Sequence, residues 1–314
     1  MIKPQRLQPG DTVALITPAF QAMPWKVRFA KERLEAQGLH VSIPSTLLNR
    51  EGYFAGTVEE KVAELHDAFA NPDVKAIMAV RGGFGSARLL KHLDYDLIAA
   101  NPKIILGYSD ITALLLAIYT QTGLCTFHGP TAGYPLPDFS KYYLHDVLFE
   151  GQAVVYENPH KAPRDDLIST VFRPYTITPG VVRGRLLGGN LTVLSSLLGS
   201  PFVPKEWEDV ILFIEDVHEE SYSIERMLCH LDLAGILPAV KGVILGSFSD
   251  CHNRAFQSLD VDTILENNIA ALGVPAYSNA MIGHQEEIFT LPIGAQVELD
   301  ASRCTFRLLE PAVI

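Results

Sequence analysis

The sequence predicts an α/β protein: a parallel sheet layered with helices, followed by a smaller mixed α+β unit. Three observations predict it. From Thr12 to Thr120, short apolar runs alternate with amphipathic stretches at the spacing of βαβ units. From Pro135 to Gly180 the chain is rich in proline and charge, with weak periodicity. From Val181 onward strands and helices resume. The expected division is a domain over 1–135, a linker over 136–180 and a second domain over 181–314. A length of 314 residues, at ~150 per domain, agrees with two units.

The elements follow in order. Thr12–Thr17 reads as a strand, and Lys26–Gln37 as a helix closed by Gly38. His40–Ile43 is a second strand. Val58–Ala70 is helical, with Val62, Leu65 and Phe69 on one stripe. Ala76–Val80 is a strand, Ser86–Leu93 a short helix, Ile104–Leu106 a strand and Ile111–Thr120 a helix. Crossovers between parallel strands should be right-handed. In the second half Val210–Ile214, Gly242–Leu245 and Gln296–Leu299 read as strands. Helices are expected over Leu191–Leu198, over Ile224–Ala234 with Gly235 just past its end, and over Val261–Leu272.

Composition narrows the function. Hydrophobic residues make up 48% and charged residues 19%, which excludes a disordered chain. Lys and Arg number 25 against 36 Asp and Glu, a net charge of −11, so a nucleic-acid partner is not expected. Cys125, Cys229, Cys251 and Cys304 are scattered, which suits a reducing compartment. They form no C-x-x-C pair, and no H-x-x-x-H or D-x-D run suggests a metal. The apolar run Val13–Ile16 is cut by Thr17-Pro18, too short for a signal-peptide core. No stretch approaches the ~18 apolar residues of a membrane span. The expectation is a soluble cytoplasmic protein with no membrane partner, metal or cofactor.

Two glycine-marked corners are candidates for chemistry. Arg81-Gly82-Gly83-Phe84-Gly85-Ser86 lies between a strand and a helix, where glycines let backbone N–H groups face an anion. A dinucleotide fingerprint would need glycine where Arg88 stands. A tight strand–helix turn and an anion or oxyanion role both remain open. Gly107-Tyr108-Ser109-Asp110 ends a strand and opens a helix, at the sheet edge where open α/β folds bind ligands. It is similar to a nucleophile elbow, but Ile111 stands where G-x-S-x-G has its second glycine. The alternative is that Ser109 or Asp110 simply caps the helix. A serine nucleophile needs a base and an orienter. Among the ten histidines, His66 and His92 lie on helical patterns, and His218 and His230 flank a second-half helix. His128, beside Gly129-Pro130, and His284, in the loop Ile282-Gly283-His284-Gln285, are the better-placed bases. Glu215 ends the apolar run Ile211–Ile214, where an unpaired carboxylate would be costly, so it is an orienter or a salt-bridged acid. Asn190, after Gly188-Gly189, caps a helix or enters the cleft.

Taken together these segments resemble the LD-carboxypeptidase family of serine peptidases, which includes the microcin C immunity hydrolases. The matching motifs are Val80–Gly85, Gly107–Asp110, Thr126–Pro130, Gly188–Leu191, Glu215-Asp216, Glu225–Leu228, Gly246–Phe248 and Gly283-His284, in family order. The resemblance implies a flavodoxin-like N-terminal domain, a smaller C-terminal domain and an active site between them. It implies Ser109 as nucleophile, His284 as general base and Glu215 as its orienter, with the N–H groups of Gly83 and Asp110 as oxyanion hole. It further implies a homodimer that removes the terminal D-alanine from murein tetrapeptides in cell-wall recycling. Arg81 is a candidate partner for the substrate's terminal carboxylate. Glu286 and Glu287 follow the base and are expected to raise its pKa or face solvent. Two other functions compete. One is hydrolysis of peptidyl- or aminoacyl-nucleotide conjugates by the same residues. The other is a non-catalytic flavodoxin-like ligand-binding protein, in which Ser109, Glu215 and His284 would lie apart.

Overall fold

The computed structural model describes residues 1–159, 173–251 and 258–314. Its first sheet is built from β1 (Thr12–Ile16), β2 (His40–Ser42), β3 (Val74–Ala79), β4 (Ile104–Gly107) and β5 (Thr126–His128). They run parallel in the order β2-β1-β3-β4-β5. Helices α1 (Pro24–Glu35), α2 (Val58–Ala70), α3 (Tyr95–Ala100) and α4 (Thr112–Thr122) form the crossovers. β4 is buried throughout and β3 nearly so, which explains their unbroken apolar runs. Local chemistry sets the helix ends. Thr57 and Glu60 form a reciprocal capping box at the start of α2, and Gly123 closes α4 at φ 74°.

The stretch 136–180, read from sequence as a linker, lies partly outside the described residues. Its described part holds α5 (Asp138–His145), a π-turn over Asp146–Glu150, β6 (Val155–Tyr156) and β7 (Tyr175–Thr178). The second sheet then takes β8 (Val181–Asn190), α6 (Leu191–Leu197), β9 (Val210–Val217), α7 (Ser221–Leu233), β10 (Gly242–Ser249), α8 (Val261–Ala270) and β11 (Ala276–Ser278). After β12 (Leu291–Ile293), β13 (Gln296–Asp300) and β14 (Thr305–Leu308) complete it. Its strand order is β6-β14-β13-β8-β9-β10-β11-β7, with a parallel centre from β8 to β11 and antiparallel flanks. The predicted α/β class, with a parallel first sheet and a mixed second one, is what the chain adopts.

Two features join the sheets. β12, from the second half, pairs antiparallel with β5 and becomes the edge of the first sheet. Helix α4 is buried on nearly all sides, with Leu114, Leu115, Leu116 and Ile118 at 0% exposure. Its first residue meets the second sheet directly: Thr112 Oγ1 accepts from the Asn190 N–H at 3.1 Å. Gly189 allows this approach, because a Cβ there would lie 2.5 Å from the Thr112 methyl.

Candidate active site

The C-terminal ends of β3, β4 and β9 and the loop after β11 supply the candidate residues. Ser109 follows β4 and opens a short 3₁₀ turn over Ser109–Ile111 that leads into α4. Its φ is 64°, left-handed for a non-glycine residue. Such a conformation costs on the order of 1–3 kcal/mol and persists only where neighbours over-determine it. Here they do. Gly107 leaves room for Ile111, whose Cγ2 would be 2.8 Å from a Cβ. Gly82, on the adjacent loop, leaves room for Ser109 itself, whose Cβ and Oγ would lie 2.9 and 3.0 Å away. Neither Ser109 nor Asp110 makes a side-chain cap to the turn or to α4, so the capping alternative does not hold. Asp110 is buried and turned to the glycine loop instead. Its Oδ2 accepts from the Ser86 N–H at 2.8 Å, and its carbonyl accepts from Ser86 Oγ at 2.5 Å. The two sequence corners are thereby tied to each other.

Glu215 is fully buried near the end of β9, and its Oε2 lies 2.7 Å from Nδ1 of His284. A carboxylate only accepts, so Nδ1–H donates and Nε2 is left as the basic nitrogen. Gly283 and Gly246 make the approach feasible. A Cβ on Gly283 would sit 2.6 Å from Glu215 Oε2, and one on Gly246 would sit 2.5 Å from the Ile282 carbonyl. Burial works to lower the His284 pKa. The Glu215 hydrogen bond and charge, with Asp216 behind them, outweigh it and hold the imidazole above its ordinary value. The acids that act on the base are therefore on β9, while Glu286 is exposed.

Tyr108, the residue before Ser109, lies against His284. Its ring lies 4.9 Å from that of His284, tilted by 58°. Burial pushes its phenol well up, so it stays neutral. Behind it His128 is 1% exposed, edge-on to Tyr108 at 6.2 Å and to Phe213 at 5.2 Å. Neither His128 nitrogen has a partner among the described residues, and burial, aided by His284, pushes its pKa down to about 3. His128 is thus a buried neutral ring and not a second base. His66 is used locally, accepting from the Asp94 N–H at 2.9 Å.

Other residues were not singled out from sequence or had a blander reading. Asn190 both caps α6, accepting from Val193 N–H at 3.1 Å, and donates to Asp216 Oδ1 at 3.0 Å. The other oxygen of Asp216 takes the N–H and hydroxyl of Thr192, each at 2.8 Å. Burial, then the charge of Glu215, raises the Asp216 pKa. This network fixes β9 beside Glu215. Gly83, at φ 129°, carries Phe20 directly above it: a Cβ there would lie 2.4 Å from the Phe20 ring. Arg81 bonds through Nε to the Gly82 carbonyl at 3.2 Å and stands 5.5 Å over the Phe20 ring. Among the described residues no group of three or more His, Cys, Asp or Glu is arranged to hold a metal ion, and no helix is long and apolar enough to cross a membrane.

The fold is a two-sheet α/β protein whose candidate residues come from both halves of the chain. The chain belongs to the LD-carboxypeptidase family: the model of that family's N-terminal domain matches residues 13–129, and that of its C-terminal domain residues 183–299. It is 37% identical to the probable murein peptide carboxypeptidase of Bacillus subtilis, over 96% of this chain and 93% of that one. It is 33% identical to the murein tetrapeptide carboxypeptidase of Pseudomonas aeruginosa, over 95% and 96%. Among solved structures, MccF in complex with glutamyl sulfamoyl guanosine superposes with a TM-score of 0.89 at 28% identity, covering 100% of both chains.

Proposed function

We propose that this chain is a serine carboxypeptidase that removes the terminal D-alanine from murein tetrapeptides, a cytoplasmic homodimer acting in cell-wall recycling. The observation that carries the chemistry is the 2.7 Å bond between buried Glu215 and His284, whose ring lies 4.9 Å from Tyr108, the residue before the left-handed Ser109. In this reading Nε2 of His284 takes the Ser109 proton as Oγ bonds to the peptide carbonyl carbon. The developing oxyanion is held by the N–H groups of Gly83 and Asp110, each donor worth about 3 kcal/mol. His284 passes the proton to the departing D-alanine nitrogen as the C–N bond breaks. Water, activated by the same imidazole, then hydrolyses the acyl-serine. Glu215 keeps the imidazole in one tautomer and stabilises its cation. Arg81 is the partner of the terminal carboxylate. The nucleophile comes from residues 1–135 and its base and orienter from 181–314, so the cleft between them is the site.

The test is D-alanine release from a murein tetrapeptide. Ser109→Ala should lower kcat/KM at least about ten-thousandfold. Release that survives this change would sink the nucleophile assignment. A second reading, hydrolysis of an aminoacyl-nucleotide conjugate, is favoured by the full-length likeness to MccF, whose structure holds such an analogue. It uses the same residues. Turnover of an aminoacyl-sulfamoyl adenylate, with none of the tetrapeptide, would select it.

A further inference from the structure

The glycine loop has a second neighbour besides Ser109. Against Gly83 and Gly85, four aromatic rings form one continuous surface. Phe20 meets Tyr53 edge-on at 5.4 Å, Tyr53 lies 4.3 Å from Phe54, and Phe84 closes the patch at 6.3 Å from Tyr53 and 6.0 Å from Phe54. The patch is built into the backbone. The Ala55 N–H donates to the Ala19 carbonyl at 3.1 Å, and the Gln21 N–H to the Tyr53 carbonyl at 3.3 Å. Gly85 carries Phe54 directly, since a Cβ there would lie 2.7 Å from its ring. Yet Tyr53 and Phe84 are each 54% exposed, an apolar area open to solvent along the loop whose Gly82 packs against Ser109.

Two cations border it. The Arg88 guanidinium stands 4.0 Å over the Phe54 ring and Arg81 5.5 Å over Phe20. Arg81 bonds only to backbone carbonyls, and Arg88 feels Glu59 as a more distant charge, so no ion pair occupies either among the described residues. In the peptidase reading Arg81 is taken by the terminal carboxylate; in a chain of net charge −11, Arg88 beside exposed rings, without an acid partner among the described residues, calls for an anionic ligand with an apolar body.

We propose that Tyr53, Phe54, Phe84 and Arg88 form the subsite for the acyl side of the substrate, seating the peptide residues remote from the scissile bond with a carboxylate on Arg88. This rests on the peptidase reading above. The leaving group is a single alanine and needs little surface, whereas the acyl side carries the rest of the peptide. Binding energy gathered here, away from the reacting atoms, orients the carbonyl at the serine.

The experiment compares kcat/KM for the tetrapeptide with that for the C-terminal dipeptide, which lacks the residues assigned to the shelf. In Tyr53→Ala, Phe84→Ala and Arg88→Gln the tetrapeptide-to-dipeptide ratio should fall about tenfold, and Tyr53→Phe should restore it. A ratio that moves less than about twofold in all three overturns the subsite while leaving the peptidase reading intact. So does a loss confined to an aminoacyl-sulfamoyl adenylate, which would assign the rings to a nucleobase. D-Alanine release from neither peptide by the unaltered protein overturns both readings.

Discussion

His284 places opposite pH demands on activity and stability. Its pKa is raised, so Nε2 gains its proton at a higher pH than a free imidazole would, and a base must be unprotonated to act. The kcat/KM profile should therefore fall on the acid side with an apparent pKa above 6.5. Glu215→Gln removes the charge that does most to raise it, leaving only the weaker effect of Asp216 against burial. The acid limb should move to lower pH while the maximal rate drops by orders of magnitude; a limb that stays in place would mean the titrating group is not His284. For stability the sign is reversed. A raised folded pKa favours the folded state below the unfolded value, about 6.5, and that contribution is lost as pH rises through the folded value. His128 works the other way, because its folded pKa of about 3 lies below its unfolded one. Stability from His128 is present above about 6.5 and declines as pH falls toward 3. Urea titrations of the His128→Phe variant should show a weaker loss of stability across that acid window than the unaltered protein; an identical loss would assign it to other groups.

At the scale of elements, Glu215 owes its position to what the loop after β11 lacks. Gly283 has φ 108° and lies against the Glu215 side chain, so Gly283→Ala combines backbone strain with displacement of the carboxylate or of His284. A shift near 1 Å in a catalytic group costs about a hundredfold in rate, and kcat should fall by that order. Gly199→Ala is the control. Gly199 also has positive φ, 81°, but a Cβ there meets nothing within 4 Å. It should cost ~1–2 kcal/mol of stability with kcat retained. Equal effects of both substitutions on kcat would remove the steric argument. This scale also separates what was legible in the sequence from what was not. The runs forming β1, β3 and β4 were readable because strands buried on both faces must be apolar throughout. The Gly-Tyr-Ser-Asp corner was readable because a strand-to-helix turn demands particular residues. β5 and β12 escaped notice: each is three residues long, too short for a period, and β12 contains Pro292. Gly283 and Asp216 matched motifs, but their duties toward Glu215 depend on neighbours from other strands. The Tyr53–Phe84 surface was invisible for the same reason, since its rings come from three separate loops.

On the scale of the whole molecule, neither sheet holds the candidate site alone, so relative placement of the two is itself a functional quantity. The first sheet receives β12 from the far half of the chain, and β12 continues from the loop that carries His284. The chain ends close near the same layer, with the Arg6 N–H donating to the Ile314 carbonyl at 2.9 Å. A direct tie beside the serine turn is at Thr112, three residues beyond Ser109, whose hydroxyl accepts from Asn190 N–H. Asn190 in turn stands opposite Glu215 in the β8–β9 register. One hydrogen bond thus links the helix after the serine turn to β8, the strand paired with the one that holds the acid. Thr112→Val keeps the shape and removes the acceptor, leaving a buried N–H unpaired at a cost of about 1–3 kcal/mol. Tm should fall by about 2–4 °C for each kcal/mol. If this tie sets the distance across the cleft, kcat/KM for the tetrapeptide should fall as well, about tenfold, below the new Tm where the protein is fully folded. Thr112→Ser keeps the hydroxyl and should retain the rate even if it loses some packing. A lowered Tm with unchanged kcat/KM in Thr112→Val would make the bond structural only, and would move control of the cleft to β12 and the loop before it.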